Sequence, residues 1–176
     1  MFSPEQFVVY PAQGVGRIER LEQQQIGGQT VEFYIIRIFT NNVTVMLPVN
    51  NTKTVGLRGL CTPSEAHTVL ASLRNRSGLT GYASQNWNRR YREYSERLKS
   101  PSLLDVGYVL KELLFISGEK ELSFGERRLL EQAMGLITSE LSPVVRREAR
   151  DIKAEIESYY ADVLIKEPLS AEGQNP

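Results

Sequence analysis

The hydrophobic pattern of the chain changes period near residue 60. Before that point, runs of β-branched and aromatic residues separated by turn-forming segments predict short strands. The runs are Gln6–Tyr10, Val15–Ile26, Thr30–Phe39 and Val43–Pro48. Four strands with tight connections and no helix between them predict a small curled antiparallel sheet or SH3-like barrel, which leaves an edge open.

Beyond residue 60 the apolar residues recur at helical spacing and predict five helices. Thr62 with Glu65 and Ser123 with Glu126 have the spacing of capping boxes, which mark helix N-termini. Pro143 is interpreted as the first residue of the fifth helix, because proline is favoured at that position. The expected helix starts are Thr62–Pro63, Ser84, Pro101–Ser102, Ser123 and Ser142–Pro143.

The fold class predicted by this order is α+β, with the strands and the helices in separate domains. The β domain is expected at residues 1–54 and an all-α domain of about five helices at residues 60–166, joined near Asn50 to Gly59. The polar segment 167–176 is expected to be disordered.

Composition and charge restrict the possible functions. The 176 residues are 41% hydrophobic and carry 21 Lys and Arg against 21 Asp and Glu. Nucleic-acid binding would therefore need a local basic patch, because the net charge is zero. No apolar run approaches the length of a membrane span and the N-terminus does not resemble a signal peptide, so a cytoplasmic protein without membrane contact is expected.

Candidate catalytic and metal-binding residues are few. One cysteine, Cys61, and one histidine, His67, exclude an internal disulfide and the usual Cys/His zinc site. His67 lies on a predicted amphipathic helix without a nucleophile motif, and Gly14-Val15-Gly16 lacks the third glycine of a dinucleotide loop. No enzyme activity and no cofactor are expected, and Cys61 is interpreted as a small apolar residue near the domain junction.

The single tryptophan lies in an unusual setting. On a helical wheel Trp87 shares one stripe with Tyr91, Tyr94 and Leu98, which is typical of a core position. However, Trp87 stands in the first turn of its predicted helix, where a side chain projects past the helix end. We therefore expect the two tyrosines to pack while Trp87 stays partly open.

Basic residues concentrate on the same helix. Between Gln85 and Lys99 there are five basic residues against two glutamates. Such a concentration is what phosphate binding requires, although a run of charges is also typical of a solvated helix face.

Several motifs in order along the chain resemble the CarD and CdnL-like family of bacterial transcription factors. The motifs are "VVYPAQGVG" (Val8–Gly16), "VMLP" (Val45–Pro48), "VGLR" (Val55–Arg58), "NWNRRYREY" (Asn86–Tyr94) and "LSFGERRLL" (Leu122–Leu130). The resemblance implies an N-terminal Tudor-like domain, shared with transcription-repair coupling factors, that binds the RNA polymerase β subunit. It also implies a helical domain that contacts promoter DNA at the upstream edge of the transcription bubble.

The resemblance implies roles for particular residues of the helical domain. Trp87 matches the family tryptophan that wedges into the minor groove where the duplex opens, which agrees with the known use of apolar wedges. Phe124 and Tyr91 are expected to pack around this wedge. The implied DNA-contacting residues are Arg89, Arg90, Arg92 and Arg127.

In the β domain, Met46 and Pro48, with Val45 beside them, match positions that engage the polymerase β subunit. Pro48 belongs on a strand end or an edge, which suits strand addition by a partner. Some relatives have arginines at the positions of Gln24 and Met46, so the contact here is expected to be less electrostatic.

The resemblance implies a monomeric regulator that binds polymerase and DNA of little sequence specificity and stabilises the open complex. The alternative is a scaffold with a Tudor-like domain and a helical bundle that never contacts DNA. The scaffold reading predicts that the helix of Trp87 is buried on both sides.

Overall fold

A four-stranded antiparallel sheet forms the N-terminal part of the protein, whose computed structural model describes residues 1–81 and 86–164. The strands are β1 (Phe7–Tyr10), β2 (Gly14–Ile26), β3 (Gln29–Ile38) and β4 (Thr44–Pro48). They are hydrogen-bonded in that order, so β1 and β4 are the outer strands. All four predicted strands are confirmed, with ends that differ by no more than one residue.

Strand β3 is the centre of the first hydrophobic core. Tyr34, Ile36 and Ile38 lie on one face and are almost fully buried against residues of the other strands. The register of β2 against β3 shifts between Ile18 and Arg20, which marks a β-bulge. A bulge increases the local bend and twist of a strand, and it accounts for the curl of so small a sheet.

The segment after β4 packs back onto the sheet. It contains a 3₁₀ turn (Val49–Asn51) and the short helix α1 (Thr52–Val55). Leu57 then enters the sheet core, and Arg58 exchanges two backbone hydrogen bonds with Val9 of β1. Residues 1–58 therefore form one packed unit, which we call the β module.

The remaining described residues form a helical bundle, called the helical module. Its helices are α2 (Pro63–Arg74), α3 (Trp87–Leu98), α4 (Leu103–Glu119), α5 (Phe124–Val145), α6 (Ala149–Ser158) and α7 (Ala161–Leu164). Helix α4 supplies the middle of this second core, because Leu110, Leu113 and Ile116 are completely buried. The predicted α+β class, with the strands before the helices, is confirmed. The predicted tail, 167–176, lies outside the described residues.

Both predicted capping boxes are confirmed. The hydroxyl of Thr62 accepts the N–H of Glu65, whose carboxylate accepts the N–H of Thr62. Ser123 and Glu126 make the same pair of bonds at the start of α5. Helix α3 begins at Trp87 with Asn86 as its cap, and its predicted start at Ser84 lies outside the described residues.

The predicted start of the fifth helix is wrong. Helix α5 continues through Ser142 and Pro143 and ends at Val145, because the next residue, Arg146, has a left-handed conformation (φ 55°) that breaks the helix. The N–H of Arg147 then donates to the carbonyl of Ser142, and the Ser142 hydroxyl donates to the carbonyl of Arg147. Burial of Leu141 and this closed turn hold the last turn of α5 together despite the proline, and α6 starts only at Ala149.

A buried ion pair joins the two modules. Arg58 donates to both carboxylate oxygens of Glu140 on α5, at 2.5 and 2.9 Å, and Glu140 is 1% exposed. The N–H of Cys61 donates to the same carboxylate at 2.9 Å. Burial, reinforced by Glu140, raises the pKa of the Cys61 thiol to about 12, so the thiol stays protonated near neutral pH.

Candidate functional site

Trp87 stands at the N-terminal end of α3, where its side chain is half-buried. The indole packs edge-to-face on Tyr91, with ring centroids 5.5 Å apart, and its inner side rests on the helical core. Tyr94 and Leu98 are in that core, whereas Tyr91 is 46% exposed. Trp87 itself is partly exposed, as its place in the first turn predicted, whereas the expectation that Tyr91 packs away with Tyr94 is wrong.

The first turn of α5 braces the other side of the indole. A Cβ placed on Gly125 would lie 3.2 Å from Cζ2 of Trp87, so the absence of a side chain there permits close approach. This turn is itself well fixed, because Glu126 accepts a hydrogen bond from Lys120 at 2.6 Å as well as the bond from Ser123. Burial alone would raise the pKa of the Glu126 carboxyl, but these hydrogen bonds lower it.

Three exposed arginines lie on the two helices whose first turns meet at the tryptophan. Arg89 and Arg92 are exposed on α3 and line a shallow depression with Asn86 and Asn88. Arg127 is exposed on α5, and the nearest carboxylate oxygen of Glu121 lies 3.8 Å away. That pair joins two side chains that are 56% and 92% exposed, so it holds Arg127 only weakly. Arg127 also donates from Nη2 to the carbonyl oxygen of Leu122 at 3.3 Å, and all three guanidinium groups remain exposed to an anionic partner.

Arg90 differs from its neighbours, because it is buried and does not lie on the exposed surface where a DNA-contacting residue was expected. The residue is only 3% exposed, and its Nη2 donates to the carbonyl oxygen of Gly81 at 3.3 Å. Positions 90, 94 and 98 repeat at four-residue spacing and form the buried side of α3. Arg90 therefore supports the helix from within instead of facing solvent.

Phe124 also departs from expectation. It is the first residue of α5 and is 80% exposed, so it does not pack around Trp87 as the resemblance implied. Gly125 occupies that place instead. Tyr91 does contact the indole as expected.

The second candidate surface is the outer strand β4. Val45 and Leu47 point into the sheet core, whereas Met46 is 44% exposed on the other face. Pro48, which lacks an N–H, is at the end of the strand opposite Phe33 of β3. In the described part of the chain no strand pairs with the outer edge of β4, so its backbone is open to a partner strand.

Gln24 of β2 belongs to the same surface as Met46. Its amide nitrogen lies 3.8 Å from the Met46 sulfur and donates to Glu22. A polar amide and a thioether thus stand side by side across three strands of the sheet. This arrangement presents little positive charge to a partner.

Neither a metal site nor a membrane-spanning helix is supported in residues 1–81 and 86–164. These residues contain no group of three or more His, Cys, Asp or Glu side chains arranged to hold a metal ion. Within the same ranges, no helix combines the length and apolar character needed to cross a membrane.

Comparison with known families covers almost the whole of both modules. Residues 2–60 match the CarD-like/TRCF RID domain, and residues 68–157 match the CarD C-terminal domain. The chain belongs to the CarD family. It is also 24% identical over 158 residues to the protein YdeB of Bacillus subtilis (strain 168), which carries the provisional name of a transcription factor. That alignment covers 88% of this chain and 99% of YdeB.

The two candidate surfaces fall in different domains of the CarD family. Met46, Pro48 and Gln24 lie in the part that matches the CarD-like/TRCF RID domain. Trp87, its arginines and Phe124 lie in the part that matches the CarD C-terminal domain. The Arg58–Glu140 pair connects the two domains, because Arg58 lies in the first and Glu140 in the second.

Sequence reasoning missed two residues on which the site depends. Gly125 carries no signal of its own, because a glycine in a helix has meaning only once its neighbour is known. Glu140 lies 82 residues from Arg58. One signal was available in principle, since Glu140 falls on the buried side of α5 between Ile137 and Leu141, and a buried carboxylate needs a cationic partner.

Proposed function

We propose that this CarD-family protein binds RNA polymerase through the edge of β4 and promoter DNA through Trp87 and its neighbouring arginines. The β subunit is the expected polymerase partner, and the upstream edge of the transcription bubble is the expected DNA site. By occupying both, the protein stabilises the open complex. The observation that carries the proposal is the partly exposed Trp87, braced by Tyr91 and Gly125 on two helices that also bear exposed arginines.

The bracing of Trp87 supports a wedge. An apolar side chain that enters a base step must hold its position against the stacking energy of the bases, which amounts to a few kcal/mol per step. An indole fixed on two sides has already lost the rotational freedom that a free side chain would lose on binding. The open side of the ring is then available to an unstacked step.

The exposed arginines support phosphate contacts that carry no sequence information. Arg89, Arg92 and Arg127 come from two helices whose first turns meet at Trp87 and Gly125. Helix N-termini carry partial positive charge, which adds to the attraction for phosphates. Backbone contacts with one wedge and no set of base-reading side chains predict binding of low sequence specificity.

The edge of β4 supports a protein partner. A strand with an open backbone edge accepts a partner strand, and specificity comes from side chains such as Met46. With Gln24 beside it, this surface suits a partner surface that is apolar and polar without strong negative charge.

Binding at two points explains why an open complex would be favoured. Once β4 is attached to polymerase, contact between Trp87 and DNA becomes intramolecular and needs no further loss of translational freedom. The wedge gains energy only where the duplex has begun to open, so the equilibrium shifts toward the open state. Free duplex gains little.

The test is the lifetime of the open complex on a promoter with an unstable bubble. Trp87→Ala should shorten the lifetime by roughly ten-fold, because stacking of an aromatic ring on bases is worth about 1–3 kcal/mol. Polymerase binding should be unchanged, because that contact lies in the other module. A folded Trp87→Ala variant that stabilises the open complex as well as wild type would refute the wedge.

The polymerase contact has a separate test. Met46→Ala and Pro48→Ala should weaken retention of the polymerase β subunit by the full-length protein. Leu104→Ala is the matched control, because Leu104 is an apolar side chain of similar exposure (45%) in the helical module, away from β4. Equal retention by wild type and both β4 variants would contradict the assignment of β4.

The scaffold alternative is less well supported. It requires the helix of Trp87 to be buried on both sides, whereas Tyr91 is 46% exposed and Arg89 and Arg92 are exposed. It would regain support if the double variant Arg89→Ala/Arg92→Ala kept wild-type affinity for DNA.

A further inference from the structure

Phe124 is exposed to an extent that its neighbourhood does not explain. It is 80% exposed, although burial of a phenylalanine side chain stabilises a fold by about 1.5–3 kcal/mol. An isolated exposed apolar residue needs no explanation. Phe124, however, directly precedes the glycine that contacts Trp87, so two partly or largely exposed aromatic residues belong to helix N-termini that meet at one end of the helical module.

The charge around Phe124 indicates the class of partner. Positions 124, 127 and 128 lie three and four residues apart and therefore share one face of α5. Arg127 and Arg128 are both exposed on that face, and Arg89 and Arg92 are exposed on α3 beside Trp87. An exposed apolar ring that shares its helix face with two arginines, and has two more on the neighbouring helix, is complementary to a polyanion that also offers flat apolar surfaces, and nucleic acid combines both properties.

The backbone that carries Phe124 is fixed. The capping box of Ser123 and Glu126 encloses the residue, and Lys120 ties Glu126 from the preceding loop. Phe124 is therefore presented from a rigid turn, as Trp87 is, and not from a loose loop.

We propose that Phe124 is a second DNA-contacting wedge, which acts beside Trp87 at a neighbouring base step. This inference rests on the proposed function of Trp87. The Cα of Phe124 lies one residue, about 3.8 Å, from that of Gly125, which puts it within about 9 Å of the indole edge. Bases in one strand are spaced by about 3.4 Å, so the two rings span roughly two or three steps.

The direct test uses a fork-junction DNA with 2-aminopurine placed at successive positions around the junction. This base fluoresces more strongly when it is unstacked, so each ring that enters a step should give a signal at its own position. Wild type is expected to give two maxima, two or three positions apart. Phe124→Ala should lose one maximum and keep the other, and Trp87→Ala should lose the maximum that Phe124→Ala keeps.

Affinity and open-complex lifetime provide the second measurement. Phe124→Ala should weaken fork-junction binding and shorten the open-complex lifetime about five-fold or more, and Phe124→Trp should restore both. Leu104→Ala, which truncates another exposed apolar side chain of the helical module, is the matched control and should behave as wild type. Because Phe124 is so exposed, its variants should keep the wild-type circular dichroism spectrum.

The outcomes separate this inference from the function on which it rests. If Trp87→Ala is defective and Phe124→Ala is not, Phe124 has no role in DNA binding and the inference is wrong, whereas the proposed function stands. If neither variant is defective, the proposed function fails and this inference fails with it. If Phe124→Ala loses polymerase binding while fork-junction affinity is unchanged, the partner of Phe124 is a protein and the inference is overturned.

Discussion

The Arg58–Glu140 pair is expected to fix the relative orientation of the two modules, and its removal should be costly. Glu140 is 1% exposed and the side chain of Arg58 is 26% exposed, so both charges are largely desolvated. Arg58→Met leaves the buried carboxylate with the N–H and the thiol of Cys61, both uncharged, as hydrogen-bond donors. Loss of one partner of a buried ion pair costs about 3–5 kcal/mol. For a protein of this size that corresponds to a fall in Tm of roughly 10 °C.

The assay is urea and thermal unfolding, followed by circular dichroism and by fluorescence. Trp87 is the single tryptophan, so its emission reports on the helical module alone. The double variant Arg58→Met/Glu140→Met should recover most of the loss, because it replaces both charges by apolar side chains of similar length. A cost of less than about 1 kcal/mol for Arg58→Met, typical of an exposed pair, would refute the argument.

The same variant tests the proposed function. Arg58 pairs with Val9 of β1, at the edge of the sheet opposite the proposed polymerase-binding strand β4, so attachment to polymerase should persist in Arg58→Met. The open-complex lifetime should nevertheless fall, because a loose junction lowers the effective concentration of Trp87 at the bubble edge. An unchanged lifetime would show that the orientation of the modules is immaterial.

Four further predictions concern the helical module. Arg90→Met should lower the free energy of unfolding by about 1–3 kcal/mol with little change in DNA affinity after correction for unfolded protein, whereas Arg89→Met should do the reverse. Gly125→Val should displace the indole and shift the emission of Trp87, and wild-type emission with wild-type DNA affinity would count against the bracing role. With three exposed arginines at phosphates, the log–log salt dependence of DNA binding should have a slope of about −3, and a slope near zero would exclude phosphate contacts. The pKa of Glu126 is lowered in the folded protein, so the ionised carboxylate stabilises the fold at pH values above the ordinary pKa of 4.5. This stabilisation is lost as the pH falls through the folded pKa. Glu126→Gln should weaken this loss of stability in acid, measured as Tm between pH 3 and 6.

Local interactions were sufficient for the sequence to determine the elements of secondary structure. The hairpin between β2 and β3 turns on Gly27 and Gly28, both with positive φ, which is the backbone that a two-residue turn requires. Helices α2 and α5 begin at capping residues that contact the chain three residues further on. Signals of this range are complete within a few residues of sequence, so the strand ends were predicted to within one residue and the two capping boxes were predicted correctly.

The sequence also determined the family, because short motifs in a fixed order carry more information than any one of them. The motifs around Trp87 and at Val45–Pro48 lie in two separate matched domains. What they left undecided is which side chain of each motif faces solvent.

Only the tertiary structure decided that question. Periodicity places Trp87, Tyr91 and Tyr94 on one stripe, but the position of α4 sets which edge of the stripe is covered. Tyr94 and Arg90 are therefore buried, whereas Tyr91 is open. The exposure of Phe124 follows in the same way, because the contact with Trp87 is made by the next residue.

The junction of the modules shows the same limit over a longer distance. Arg58 and Glu140 are 82 residues apart, and neither side chain indicates its partner in a single sequence. Likewise, Pro143 has the local properties of a helix start, but the burial of Leu141 and the turn at Arg146 place the end of α5 beyond it. Contacts between distant segments compete with local preference at such positions, and their outcome depends on packing that exists only in the folded chain.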